Sequence, residues 1–392
     1  MKETLFSCID AQREKLNSLA DRIFDLGEYG SEEYQSSAAI CEVLKENGFA
    51  VTKNIADMPT AFRAVYQSLE NGPRIGLLCE YDALFGIGHA CGHHLQAPSA
   101  IGTAIALKAC LGGKVPFTVV IYGCPDEEGN GSGGKQRMVE RGCFRDIDIA
   151  MIMHGGTETT TDLRTLACAP FEVLFTAKPD AHDRNSASRA RDAMLLAFEA
   201  VEFLREHITD DARVHYTYQV NDKAEIGYTA RFSVRAMKIS DLEELKTRFR
   251  NLIAGAARMA GAEATIQANA EYMPKIPTQE LVDSFYENAD LLNIPDIEPP
   301  RKRVGSSDTA NVLFEVPGIG IRVPYAPKGT SAHSSEWLAA GKKPPAYEAI
   351  LYAAKTMAGM AYDFISDPAR LEAAREQHRT EREALLRSSA GA

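Results

Sequence analysis

The stretch GHACGHHLQAPS, residues 88–99, sets His89, His93 and His94 around Cys91. Imidazole and thiolate bind borderline transition metals, and the two-residue step from Cys91 to His93 lets a turn aim both to one side. Taken alone, the stretch leaves three readings open. It is a metal site, a thiol nucleophile with a histidine base, or a structural turn in which His93 caps the next helix and Cys91 packs inside. Two other places carry compatible chemistry. In CPDEEG, one of the adjacent carboxylates Glu127 and Glu128 can bind a metal while the other takes and returns a proton. Adjacent acids are also common on surfaces. MIMHGG adds His154.

The elements around these residues are what would bring them together. Three apolar runs, RIGLLCEYDAL (74–84), FTVVIYGCPDEEG (117–129) and DIDIAMIMHGG (146–156), alternate with helical patterns at 98–111 and 135–141. That alternation predicts parallel strands covered by helices. Each run closes on a carboxylate or histidine and then a glycine or turn. Ligands of open α/β sheets lie at the carboxyl ends of the strands, so Asp82, Glu127, Glu128 and His154 are expected to converge.

Apolar spacing between residues 10 and 48 reads as two amphipathic helices broken at GEYGSEE. The middle of the chain reads strand 171–177, helix 187–207, strands ARVHYTYQV and EIGYTARFSVRA, a helix from DLEELK, and strand EATIQANAEY. This βαββαβ order is the ferredoxin-like arrangement. SSDTANVLFEVPGIGIRV and PPAYEAILYAAKTMAGMAYDFI then supply a helix, a buried strand and a long helix, and the last 25 residues favour an exposed helix. The expected fold class is therefore α/β. A mostly parallel sheet with helices on both faces is built from residues 1–168 and 286–392, and a smaller α+β ferredoxin-like domain, 169–285, is inserted in it.

A chain of 392 residues suits two domains. Its 54 acidic and 43 basic side chains give a net charge of −11, which disfavours nucleic acid and anionic membranes. The basic run PPRKR (299–303) reads as a solvated loop. The opening MKETLFSCIDAQREKL has no apolar core of signal-peptide kind, so the expected location is cytoplasmic. The eight scattered cysteines make no disulfide framework. Cys79, Cys110 and Cys124 lie in apolar runs and are expected to be buried.

The pieces EYDALFGIGHACGHH, DEEGNGSGGK, DIAMIMHGG and GTSAHSSEW, in this order over residues 80–337, resemble the metallopeptidase family 20 amidohydrolases. That group includes aminoacylases, hippurate hydrolase, auxin-conjugate hydrolases and aminobenzoyl-glutamate hydrolase. The resemblance implies a metallohydrolase domain with an inserted lid and dimerisation domain, hence a homodimer through the lid domain or a higher homo-oligomer. It implies one or two divalent ions, Mn, Zn or Co, held by Cys91, His93, Glu128, His154 and His333. Glu127 takes the place of the general base, with hydroxide generated at the metal as nucleophile. Asp82 takes the place of an acid that orients a ligand, a role worth ~10- to 100-fold in metal affinity. His182, in AKPDAHD, is the nearest match to the lid histidine that meets the substrate oxyanion in the partner's site, against a plain reading as a surface histidine.

The match is not uniform. His94 stands where the family usually has Asp or Asn, which bears on the metal count. VNDKAEIGY replaces the Asn, apolar pair and proline that help relatives bind a substrate carboxylate. His89 reads as loop support, His207, His215 and His378 as ordinary partly exposed side chains, and GNGSGG as a turn, since it lacks the Lys-Ser/Thr ending of a phosphate-binding loop. The expected function is metal-dependent hydrolysis of a C–N bond in a small, amino-acid-like or aromatic substrate. The alternative is hydrolytic deamination of an aromatic amine, of the 5-nitroanthranilate aminohydrolase type, where ring electron withdrawal stabilises the adduct. Two further rivals are a Cys91 thiol hydrolase, which a chelator would spare, and a non-catalytic binding protein.

Overall fold

A computed structural model describes residues 1–129, 133–178, 185, 188–219, 227–301 and 305–390. The chain divides into two compact units, Met1–Arg164 with Lys275–Glu381, and Thr165–Pro274 with Arg382–Ala392.

The first unit opens with α1 (Lys2–Asp10), α2 (Arg13–Leu26) and α3 (Tyr34–Glu46), one helix more than the apolar spacing suggested. It continues through β1 (Ala50–Lys53), β2 (Phe62–Gln67), β3 (Arg74–Cys79), α4 (Gln96–Leu111), β4 (Thr118–Gly123), α5 (Gly134–Glu140), β5 (Ile149–Gly156) and β6 (Thr160–Thr161). The second unit holds β7 (Ala167–Thr176), α6 (Ser188–Leu204), β8 (Arg213–Gln219), β9 (Tyr228–Ala236), α7 (Ile239–Ala260) and β10 (Glu263–Ala268). After it come α8 (Gln279–Leu291), α9 (Thr309–Glu315), β11 (Gly318–Pro324), α10 (Ser335–Ala340), α11 (Pro344–Ser366) and α12 (Pro368–Ala390).

The large sheet has the order β1-β2-β4-β3-β5-β11-β6. Its four central strands, β4, β3, β5 and β11, run parallel, as expected for an α/β unit. The margins β1, β2 and β6 pair antiparallel and were not legible as strands, being short or weakly apolar. Period-two alternation splits the central strands between two cores. Ile75, Leu77, Val119, Ile121 and Met151 join the core that includes α4 and α11. Leu78, Val120, Tyr122, Ala150 and Ile152 join another with Met138, Val312 and Leu313. Burial of each such Leu, Ile, Val or Met side chain is worth about 1.5–3 kcal/mol. Helix α4 is buried almost all round, and Thr103 Oγ1 donates to the Ala354 carbonyl of α11 at 3.0 Å.

In the second unit the four strands pair antiparallel in the order β10-β7-β9-β8. With α6 and α7 this is the βαββαβ order read from the sequence. Phe171 and Phe232 each lie 5.0 Å from Phe249 on α7, centroid to centroid, and tie the sheet to the helices. Among the described residues no helix is long and apolar enough to cross a membrane.

Candidate functional site

The carboxyl ends of β3, β4 and β5 lead into the segments that carry the chemistry, and register fixes which residues meet. After β3 the chain passes Glu80 and Asp82 and turns at Gly92, whose φ of +88° is a conformation that side chains rarely adopt. A Cβ at Gly92 would also approach the Tyr325 ring to 3.0 Å. Cys91 and His93, on either side of that glycine, are thereby both turned inward and buried.

Cys91 Sγ lies 3.3 Å from His154 Nε2, and Glu128 Oε1 lies 3.3 Å from His333 Nε2. His333 itself has a positive φ of 64°, with its backbone N–H donating to the Ala90 carbonyl at 3.0 Å. Ligand atoms of Cys91, His93 and His154, of Cys91, Glu128 and His333, and of His93, Glu127 and Glu128 each fall within 4.8 Å of one another. All five expected ligands are therefore neighbours. His93 Nε2 and Glu128 Oε1 are buried without a hydrogen-bond partner, and so is Tyr325 Oη beside the Gly92 turn. Two charged neighbours, Glu80 Oε2 at 3.1 Å from His93 Nε2 and His333 Nε2 at 3.3 Å from Glu128 Oε1, are close enough to pair as charges but are not aligned for a hydrogen bond. Buried orphans of this kind are rare. A thiol, imidazoles and a carboxylate in one cluster suit Zn²⁺, Mn²⁺ or Co²⁺, so the residues fit such an ion.

Asp82 sits one layer out. His93 Nδ1 donates to Asp82 Oδ1 at 2.8 Å, which leaves Nε2 facing the cluster, and the Glu128 backbone N–H donates to Asp82 Oδ2 at 2.7 Å. One carboxylate thus fixes two of the five clustered side chains. His154 Nδ1 lies 2.8 Å from the Gly155 carbonyl oxygen.

The two adjacent glutamates are electrostatic opposites. Burial, reinforced by Glu80 and Asp308, pushes Glu127 up to about 8. Burial also acts to raise Glu128, but the contacts with His333 and His93 outweigh it and hold that group at about 2. Such separation of paired acids suits one to accept a proton and the other to stay ionised. Burial pushes the Cys91 thiol up to about 12. A thiol so placed is a poor nucleophile unless a cation stands beside it.

Sequence reasoning missed the residues behind Glu127. Ser307 Oγ donates to Glu127 Oε1 at 3.1 Å. Lys135, fully buried, pairs with Glu80 at 2.8 Å and with Asp308. Their signals were faint: Glu80 precedes Asp82 in EYDAL, and Asp308 stands immediately before helix α9. Among the histidines outside the cluster, His89 Nε2 lies 3.0 Å from the Ile23 carbonyl oxygen, in a supporting place. His94 is buried against Phe24, with Nε2 2.9 Å from the Gly341 carbonyl oxygen, outside the ligand groups. His378 corrects the reading of a partly exposed side chain. It is buried, with Nε2 3.1 Å from the Leu313 carbonyl oxygen, because one face of α12 packs inward there. Cys79, Cys110 and Cys124 are buried as expected. His182 and most of VNDKAEIGY lie outside the described residues, as do parts of PPRKR and GNGSGG.

The profile of "Peptidase family M20/M25/M40" matches residues 80–363. The chain is 26% identical to a subunit of the p-aminobenzoyl-glutamate hydrolase of Escherichia coli strain K12, over 94% of this chain and 93% of that one. It is 30% identical to the Xaa-Arg dipeptidase of Mus musculus, over 97% and 93%. Among solved structures, a dinuclear metal-binding peptidase of Bacillus subtilis, from the M20 family, superposes with a TM-score of 0.67 at 19% identity, over 91% of this chain and 99% of that one.

Proposed function

Because the chain belongs to peptidase family M20/M25/M40, we propose that it is a metal-dependent hydrolase cleaving the C–N bond of a small, amino-acid-like or aromatic amide. The observation that carries this is the pair of buried orphans, His93 Nε2 and Glu128 Oε1, within a cluster that also holds Cys91, His154 and His333. Those five residues would hold one or two divalent ions, and the dinuclear Bacillus subtilis relative supports that count. When bound, such an ion supplies Lewis acidity that polarises the substrate carbonyl and acidifies water.

The protein's own groups do the rest. Asp82 keeps His93 in the tautomer whose Nε2 would be free to bind such an ion. Ser307 occupies Glu127 Oε1 and leaves Oε2 to take the water proton. As the water oxygen bonds to the acyl carbon and the C–N bond breaks, Glu127 returns that proton to the departing nitrogen. Relatives named for an aminobenzoyl-glutamate and an Xaa-Arg dipeptide support an amide whose amine half is an amino acid.

The test is a panel of N-acyl amino acids, dipeptides and aminobenzoates, assayed after chelation and again with Mn²⁺, Zn²⁺ or Co²⁺ restored. Acyl cleavage that vanishes on chelation and returns with metal is expected. Full activity in chelator would overturn the metal reading, and ammonia release from an aryl amine would replace amide cleavage by aromatic deamination.

A further inference from the structure

Three segments of the first unit meet just outside the ligand cluster. The turn between α2 and α3 is joined to the segment after β3 by a parallel bridge of Tyr29 to Ala83, whose backbone N–H donates to the Glu28 carbonyl at 2.8 Å. The segment after β4 closes a third side, with the Asp126 backbone N–H donating to Glu33 Oε1 at 2.8 Å. Between them lies a cleft of about 470 Å³ whose wall includes Glu128, one of the five clustered side chains. A group bound in the cleft would lie next to that cluster.

Two features of the wall serve neither the cluster nor the core. Asp126 is only 6% exposed and belongs to none of the ligand groups. Its Oδ2 accepts from Ser31 Oγ at 2.8 Å, whereas Oδ1 accepts no hydrogen bond among the described residues. A Cβ on Gly30 or Gly129, both of which line the cleft, would collide with Oδ1, so the two glycines leave that oxygen bare. A carboxylate held out of water with an acceptor unused is costly. The second feature is aromatic. Phe85 lines the cleft 85% exposed, with its ring 5.0 Å from that of Tyr29, centroid to centroid. Among the described residues no Lys, Arg or His lines the cleft to balance its carboxylates.

We propose that this cleft binds a cationic nitrogen of the substrate, an ammonium or guanidinium group, hydrogen-bonded to Asp126 Oδ1 and flanked by the Phe85 ring. This deepens the hydrolase reading, on which it rests for the place of the scissile C–N bond beside Glu128. A cation satisfies both features at once, since the carboxylate gives it a charge-assisted hydrogen bond and the ring face attracts positive charge. A neutral aromatic group would use the ring and leave Asp126 bare. The protein's net charge of −11 favours the same sign of ligand. The cleft reads the charge and not its carrier, which is a basic side chain on the amine half or an amino group on the acyl half.

The experiment uses the full-length, metal-loaded protein and pairs of compounds that differ in one charge. N-benzoylarginine against N-benzoylcitrulline varies the amine half, and 4-aminobutanoylglycine against pentanoylglycine varies the acyl half. Calorimetry in an E127Q background reads binding without turnover, and kinetics with Glu127 intact read KM and kcat separately. The cationic member of at least one pair is expected to bind ~10-fold or more tightly than its neutral partner, and the pair that shows this identifies the half that enters the cleft. D126N should lower that ratio by ~10-fold with metal content retained by elemental analysis. F85A, at an exposed position, should lower it by ~2- to 5-fold, and decides the matter if D126N fails to fold. Equal binding within both pairs, losses in the variants shared equally by charged and neutral members, or a D126N loss that tracks loss of metal would overturn the proposal. Absence of turnover of every compound with Glu127 intact would overturn the hydrolase reading instead, and the binding ratios would still decide the cleft.

Discussion

At the scale of single residues, the site turns on two neighbours in sequence with opposite proton affinities. Glu128 is held ionised by imidazoles, whereas Glu127 is pushed up to about 8 by burial and by Glu80 and Asp308. Replacing Glu127 with Gln preserves its shape and its contact with Ser307 but removes the base. E127Q is expected to retain its metal, measured by elemental analysis, and to lose ~100-fold or more in kcat. Full turnover by a metal-replete E127Q would rule out the mechanism. Cys91, His93 and the glutamate pair were visible in sequence through their residue types. Ser307, Lys135 and Arg322 were not, because each meets a neighbour more than 160 residues away.

Between elements, buried charge does the joining. Lys135 at the start of α5 reaches Glu80, just past β3, and Asp308, just before α9. The Asp308 carboxylate also accepts from the Lys135 backbone N–H at 3.0 Å. Removing one member of such a network leaves carboxylates buried without compensation. Lys135→Met is expected to cost about 3–5 kcal/mol in chemical denaturation, far more than the median surface pair at ~0–1 kcal/mol. A loss below ~1 kcal/mol would show that water or rearrangement replaces the ammonium. The alternating runs foretold β3, β4 and β5, and the βαββαβ series foretold the second unit's element order. Helix α4, buried on nearly every side, has too little amphipathic contrast for its neighbours to be inferred from its sequence.

For the molecule as a whole, a buried carboxyl makes stability depend on pH. Glu33 is fully buried, accepting from the Asp126 backbone N–H at 2.8 Å and from Thr60 at 3.1 Å. Burial pushes it up from 4.5 to about 7. A raised acid pKa means that the folded state binds more protons than the unfolded state between those values, so stability falls as pH rises from about 4.5 to 7. The effect is bounded at about 3 kcal/mol. E33Q should unfold with a flatter pH dependence across that window, read by thermal melts at pH 5 and pH 8. An unchanged slope would assign the dependence to other groups.

Residue types, their order and their periodicity by themselves determined the family likeness, the parallel centre of the large sheet, the βαββαβ series and, through that likeness, which side chains to look for in one cluster. They could do so because strand and helix periods are local, and because parallel strands deliver their carboxyl ends to one side. Only the tertiary structure decided that His94 turns away to Gly341, that His378 is buried, that Lys135 pairs with Glu80 and Asp308, and that Arg322 stands beside His154. Those outcomes depend on which distant backbone or carboxylate a side chain meets once the sheet register is set, and no local pattern encodes that meeting.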